Sequence, residues 1–121
     1  MIKLYLKVFK DSFKYNGRSS RQEYWTFFFV NFVITLFLWG GIEYIDPQWI
    51  FGLITLFFWL ITLLPSISVA VRRLHDIGKT GWLLLLIFIP FIGQIIMLIF
   101  LLQKGDVNEN EYGDVPEIQT D

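Results

Sequence analysis

Lysines recur at positions 3, 7, 10 and 14, while Ile2, Tyr5, Leu6, Phe9 and Phe13 fall between them. At 3.6 residues per turn this lays the ammonium groups along one stripe and the apolar side chains along another. The pattern predicts an amphipathic helix over residues 1–15. Such a helix suits the plane of a membrane surface, its lysines toward anionic phospholipid headgroups. The same apolar face could instead pack on the protein's own loops. Asn16-Gly17 ends the helix, because Gly readily takes the left-handed cap conformation.

Three long uncharged runs follow. The first, residues 24–42, has nineteen residues without a charge, about 28 Å of helix against a hydrocarbon layer of about 30 Å. Ser20-Arg21-Gln22-Glu23 before it has capping-box spacing. Tyr24 and Trp25 at one end, with Trp39 and Tyr44 near the other, match the aromatic belts of a membrane span. Glu43 and Asp46 close the run in a tight turn outside the apolar layer. Asp46 as N-cap and Pro47 at the first helical position start the second span, residues 48–71. Pro65 predicts a bend there. Gly52, Thr55, Thr62, Ser66 and Ala70 share one side, as small residues do where helices approach closely in lipid. Residues 72–80 form a charged, glycine-punctuated link. Thr80 caps the third span, residues 81–103, with a kink expected at Pro90 and Gly93. The tail, residues 104–121, carries six acids with little periodicity and reads as a loop with a disordered end.

Composition agrees with the pattern. Hydrophobic residues make up 55% of the 121 and aromatic residues 19%, where soluble chains have roughly 45–50% apolar residues. The expected fold is a single-domain, all-α membrane protein: an N-terminal interfacial amphipathic helix followed by three transmembrane helices. The first run exceeds the roughly 7–15 residues of a signal-peptide core and is read as a retained helix. A net charge of −1 offers no basic surface for nucleic acid, and the lack of cysteine excludes disulfides and thiolate chemistry. With three spans, nine of the ten Lys and Arg lie on the side of the N-terminus and the 72–80 link, and Lys104 alone on the other. The positive-inside rule then puts the N-terminus in the cytoplasm and the C-terminus outside.

Candidate chemistry gathers at the charged ends. Gly78-Lys79-Thr80 is no phosphate loop, since that pattern needs a Gly at position 73, which is Arg. One His with no Cys makes a poor metal site. No Ser–His or carboxylate pair has catalytic spacing, so neither catalysis nor a cofactor is expected. Arg18, Arg21, Glu23, Arg72, Arg73, His75 and Asp76 enter from one face and can form forked, charge-assisted bonds. They read either as a topology signal and structural staple or as a partner site, and arginine also suits lipid phosphate. At membrane depth stand Asn31, Thr35, Thr55, Thr62 and Gln94, with Asn31 and Thr35 as natural partners for Gln94 across the bundle. The favoured function is non-enzymatic binding through the cytoplasmic cluster, as a homo-oligomer or an accessory subunit of a larger membrane complex. The alternative is a small oligomeric channel or transporter using the polar residues at depth. A third reading is a lipid-acting enzyme built on His75 and Asp76.

Several stretches resemble a known family, the small bacterial inner-membrane proteins grouped as domain-of-unknown-function 805. They are Tyr5-Leu6-Lys7-Val8, Gly17-Arg18-Ser19-Ser20-Arg21-Gln22-Glu23-Tyr24-Trp25, Arg72-Arg73-Leu74-His75-Asp76, Gly81-Trp82, Ile89-Pro90-Phe91-Ile92-Gly93, and Gly105 through Asn110 with Tyr112, Gly113 and Pro116. The tail departs from the pattern at Asn108 and Val115. The resemblance implies a multi-pass protein of the bacterial inner membrane and implies no activity.

Overall fold

The computed structural model describes residues 2–44, 48–113 and 116, without the side chains of residues 42 and 43. The expected Glu43–Asp46 turn, the Asp46-Pro47 cap and the disordered tail end lie largely or wholly outside the described residues. Among the described residues there are four α-helices, α1 (Ile2–Lys10), α2 (Arg21–Tyr44), α3 (Gln48–Asp76) and α4 (Ile92–Leu102), with a 3-10 segment (Gly81–Phe88) between the last two. Among the described residues there is no strand, only an isolated bridge between Asn110 and Gly113.

Helices α2 and α3 form an antiparallel pair. Phe27 packs with Val69, the Trp59 indole donates to Thr35 Oγ1 at 3.4 Å, and Gly41 lies against the Phe51 ring. Their 24 and 29 residues correspond to about 36 and 44 Å, longer than the apolar layer of about 30 Å. These two are long and apolar enough to cross a membrane, yet only 6% and 17% of their most apolar stretches are buried. A soluble core would hide such surface; lipid accepts it.

α3 runs five residues past the expected end of the second span, so Arg72, Arg73, His75 and Asp76 stand on a helix rather than in a link. Nothing between Val71 and Asp76 breaks a helix. The stop comes at Gly78, whose φ of +75° places it at the left-handed position of a Schellman motif. There Lys79 N donates to Leu74 O and Gly78 N to His75 O, at 2.9 and 3.0 Å. Pro65 sits inside α3 without ending it.

α1 is shorter than the expected 1–15 and lies partly on the protein itself. Leu4 and Val8 are buried, and Val8 joins Phe27 and Val69 in one core cluster. The Tyr5 hydroxyl donates to Asn31 Oδ1 at 2.7 Å. After Lys10 the chain turns, and the Ser68 hydroxyl lies 2.7 Å from the Asp11 carbonyl and 2.6 Å from that of Lys14. Ile2, Leu6 and Phe13 remain exposed, as do Lys3, Lys10 and Lys14. Lys7 leaves the expected stripe and turns inward.

The third apolar run is not one spanning helix. Pro90 excludes α-helical backbone at Ile89, which is extended at φ −87° and ψ 113°. Phe91 then takes φ +64° and ψ −62°, and Ile92 N donates to Pro90 O at 2.7 Å, a classic γ-turn. The chain reverses there. The 3-10 segment and α4, of 8 and 11 residues, each measure about 16 Å, half of a membrane crossing. Gly93 makes the reversal tight: a Cβ on it would fall 1.7 Å from the Leu86 carbonyl oxygen. The Gln94 amide donates to Ile87 O at 2.6 Å. It therefore clips this hairpin instead of bonding Asn31 or Thr35. The hairpin enters and leaves at the same end of the α2–α3 pair, where Leu101 O and Leu102 O meet Trp25 and Arg21. The tail consequently sits at the charged end, not at the opposite one expected from three spans.

Candidate functional site: a buried ion cluster at one end of the pair

Ser20 Oγ accepts from Glu23 N at 3.1 Å, the first half of the expected capping box. The Glu23 carboxylate faces neighbouring helices, accepting from Lys7 Nζ at 2.8 Å and Arg72 Nη1 at 3.3 Å. Lys7 also meets Asp11 at 3.1 Å. Burial disfavours the Lys7 ammonium, but Glu23 and Asp11 outweigh it and hold its pKa above the ordinary lysine value. That contribution to stability is complete below the ordinary lysine pKa and disappears as pH rises through the higher folded value.

Asp76, the last residue of α3, forms the centre. One carboxylate oxygen accepts from Arg18 Nε and the other from Arg73 Nη1, each at 2.9 Å. The rest of the Arg18 guanidinium donates to backbone carbonyls of Asp76, Asp106, Asn108 and Gly113. All five of its N–H groups thus have an acceptor within reach. The tail is shaped to meet it. Asp106 N donates to Asp76 O at 2.7 Å, and Asn110 Nδ2 bonds both His75 O and Asp106 Oδ2, at 2.9 and 2.8 Å. Tyr112 N donates to Asn110 Oδ1, and the Tyr112 ring stacks on His75 with centroids 4.0 Å apart. His75 Nδ1 lies 3.0 Å from the Gly17 carbonyl, an acceptor that places the proton on Nδ1. Gly105 has room for no side chain, since a Cβ would meet Asp76 Oδ2 at 1.9 Å.

A third set of bonds closes the end of α4. The last carbonyls of a helix have no partner inside it. Here Leu101 O accepts from Trp25 Nε1 at 3.0 Å, Leu102 O from Arg21 Nη1 at 3.4 Å, and Gln103 O from Arg73 Nη2. Two arginines at a helix C-terminus also oppose the negative end of its dipole. Below this collar Leu74, Met97 and Leu101 form the second core cluster. Trp25→Phe should cost about 1–2 kcal/mol through the unpartnered carbonyl. Thermal melts in detergent should show that loss, and no change for Trp39→Phe on an exposed face (61%).

All seven residues singled out in the sequence meet here. Arg18, Glu23, Arg72, Arg73, His75 and Asp76 are each at most 8% exposed, so the cluster is an interior. Arg72 Nε and Nη2, Arg73 Nε and Ser19 Oγ are buried without a hydrogen-bond partner among the described residues. The reading from sequence missed Trp25, Asp106, Asn110 and Tyr112. The tail's family-like residues were the available signal for three of these, and the acidic, aperiodic character of the tail obscured it.

The five polar residues at depth do not converge. Asn31 serves Tyr5; Thr35 Oγ1 donates to Asn31 O, Thr55 Oγ1 to Phe51 O and Thr62 Oγ1 to Trp59 O, at 2.8, 2.8 and 3.2 Å. Asn31, Thr35 and Thr62, with Ser66, line a cleft of about 350 Å³ between α2 and α3. Gln94 and Thr55 lie away from it.

Two long, largely unburied apolar helices, fastened at one end by a buried ion cluster, define a helical membrane protein. The chain belongs to the family described as protein of unknown function DUF805, whose pattern it matches over residues 12–114. It is 37% identical to the Escherichia coli K12 inner membrane protein YhaI over 117 residues, 93% of this chain and 94% of that one. Identity is also 37% over 117 residues to the K12 inner membrane protein YhaH, covering 95% of this chain and 97% of the relative. No solved structure matches the chain.

Proposed function

We propose that this is a non-enzymatic protein of the bacterial inner membrane that works by binding, as a homo-oligomer or as an accessory subunit of a larger complex. The ion cluster is then a clamp and not the contact surface. It holds α1, the α2–α3 pair, the hairpin and the tail in one arrangement, and partners meet the apolar faces left outside. The observation that carries this reading is the internal pairing at the centre of the cluster: Asp76 is forked between two arginines, and Arg18 reaches five acceptors. Away from the clamp, no third helix among the described residues covers α2 and α3, and Phe37, Trp39, Phe57 and Leu60 are 77%, 61%, 61% and 57% exposed. Crosslinking in native membranes from residues 37 and 57, with identification of what is captured, tests the idea. Recovery of monomer alone from both positions rejects it.

With two crossings and a re-entrant hairpin, all ten Lys and Arg belong to one side. The positive-inside rule puts that side in the cytoplasm, together with both termini. The exposed Lys3, Lys10 and Lys14 then face anionic headgroups. A fluorescent reporter at the C-terminus should light up, and an alkaline phosphatase fused there should stay inactive. An active phosphatase would restore an odd number of crossings.

The α2–α3 cleft favours a second reading, an oligomeric channel or transporter. Liposomes carrying the protein should then pass ions or solutes faster than empty ones.

A further inference from the structure

Between α3 and the hairpin lies a groove of about 810 Å³. Ile67, Ala70 and Val71 form one wall, and Leu84, Leu85 and Phe88 the other. The 3-10 segment packs against α3 at its charged end, where Leu83, Leu84 and Leu86 meet the cluster around Leu74, and leaves the groove open beside it. None of its eight residues is buried, although all are apolar or glycine. It touches down where Gly81 meets Val71, so closely that a Cβ on Gly81 would lie 2.8 Å from Val71 Cγ1. Protein interiors pack like organic crystals, so an apolar opening of this size in a bilayer takes up hydrocarbon. A second helix is a poor occupant. At a diameter of about 10–12 Å, 810 Å³ holds only about 8 Å of helix, under two turns. A flexible single chain fits.

The groove ends at the charged side of the molecule among Tyr15, His75 and Thr80. Exposed lysines adjoin two of these in the chain, Lys14 beside Tyr15 and Lys79 beside Thr80. Lys14 Cε packs next to Gly17, whose carbonyl holds His75, and Lys79 Nζ lies 5.8 Å from the centre of the Phe100 ring. An apolar slot thus opens beside two hydroxyls at the charged end of the molecule, and an exposed lysine neighbours each of them in the chain. We propose that the groove binds one membrane phospholipid, an acyl chain lying between α3 and the hairpin and its phosphate at the mouth between Lys14 and Lys79. This deepens the binding function proposed above by naming a ligand, and it rests on the hairpin lying within the bilayer.

The full chain, reconstituted in nanodiscs of phosphatidylethanolamine and phosphatidylglycerol and then extracted into mild detergent, should carry one phospholipid in native mass spectrometry. Ile67→Trp and Leu85→Trp fill the groove from opposite walls, and each should lower the retained fraction about tenfold. Leu53→Trp, on an exposed stretch of α3 outside the groove, should leave it unchanged. Lys14→Ala with Lys79→Ala should lower retention several-fold. The proposal is overturned if the native chain carries no lipid, or if both groove-filling variants retain as much as the native chain. Unchanged retention in the double lysine variant overturns the phosphate assignment. Paired chains that separate on Ile67→Trp would overturn it in favour of a second copy. A periplasmic C-terminus would instead undo the bilayer placement, an outcome the reporter fusions read separately.

Discussion

Asp76→Ala should destabilise the protein by about 3–5 kcal/mol, the usual cost of removing one partner from a buried ion pair. The carboxylate is 5% exposed and divides its two oxygens between Arg18 and Arg73, whose side chains are 0% exposed. Removing it leaves two desolvated guanidinium groups facing each other. Carbonyls still accept from both, but a partial dipole does not neutralise a cation, so repulsion adds to the lost bonds. Domains are stable by about 5–15 kcal/mol, and this one change therefore consumes much of the margin. Asp76→Asn keeps the shape and loses the charge; it should fall between Ala and the native residue. The five tryptophans make intrinsic fluorescence a direct reporter of denaturant unfolding in detergent. A loss below about 1 kcal/mol would mean that the cluster is solvated like a surface pair.

The second large effect is expected at Gly93. Its Cβ would approach the Leu86 carbonyl oxygen to 1.7 Å, the Leu86 carbonyl carbon to 2.8 Å and Ile89 Cβ to 3.0 Å. The nearest obstacle is backbone, which cannot swing aside as a side chain does. Gly93→Ala should therefore open the hairpin at a cost of about 3 kcal/mol, the upper part of the range for overpacking. Gly52→Ala supplies the contrast. It lies inside α3 with nothing within 4 Å of the added methyl, so Ala should stabilise by about 0.5–1 kcal/mol through helix propensity. If the two changes had equal effects, the close approach at Gly93 would be absent.

The parts of the molecule that depend on neighbours in the chain were legible without a structure. The lysine and apolar stripes marked α1, the charge-free runs marked α2 and α3, and Ser20 with Glu23 marked the start of α2. Pro90 and Gly93 marked a break in the third run, although its consequence was misjudged. A kink and a full reversal share the same residues; what separates them is the positive φ of Phe91, a residue type that gives no warning of it. Gathering Arg18, Glu23, Arg73 and Asp76 at one face followed from charge placement alone. Their burial did not.

By itself the sequence determined an all-helical chain with long apolar runs and one charged end, because periodicity, run length and charge are properties of residue type. The tertiary structure alone decided that the third run turns back and that the tail returns to Arg18. Those decisions rest on backbone carbonyls of Leu101, Leu102, Gln103, Asp106 and Asn108 meeting side chains some 30 to 90 positions away. Every residue carries the same carbonyl group, so such bonds leave no mark on residue identity and appear only when the chain is folded.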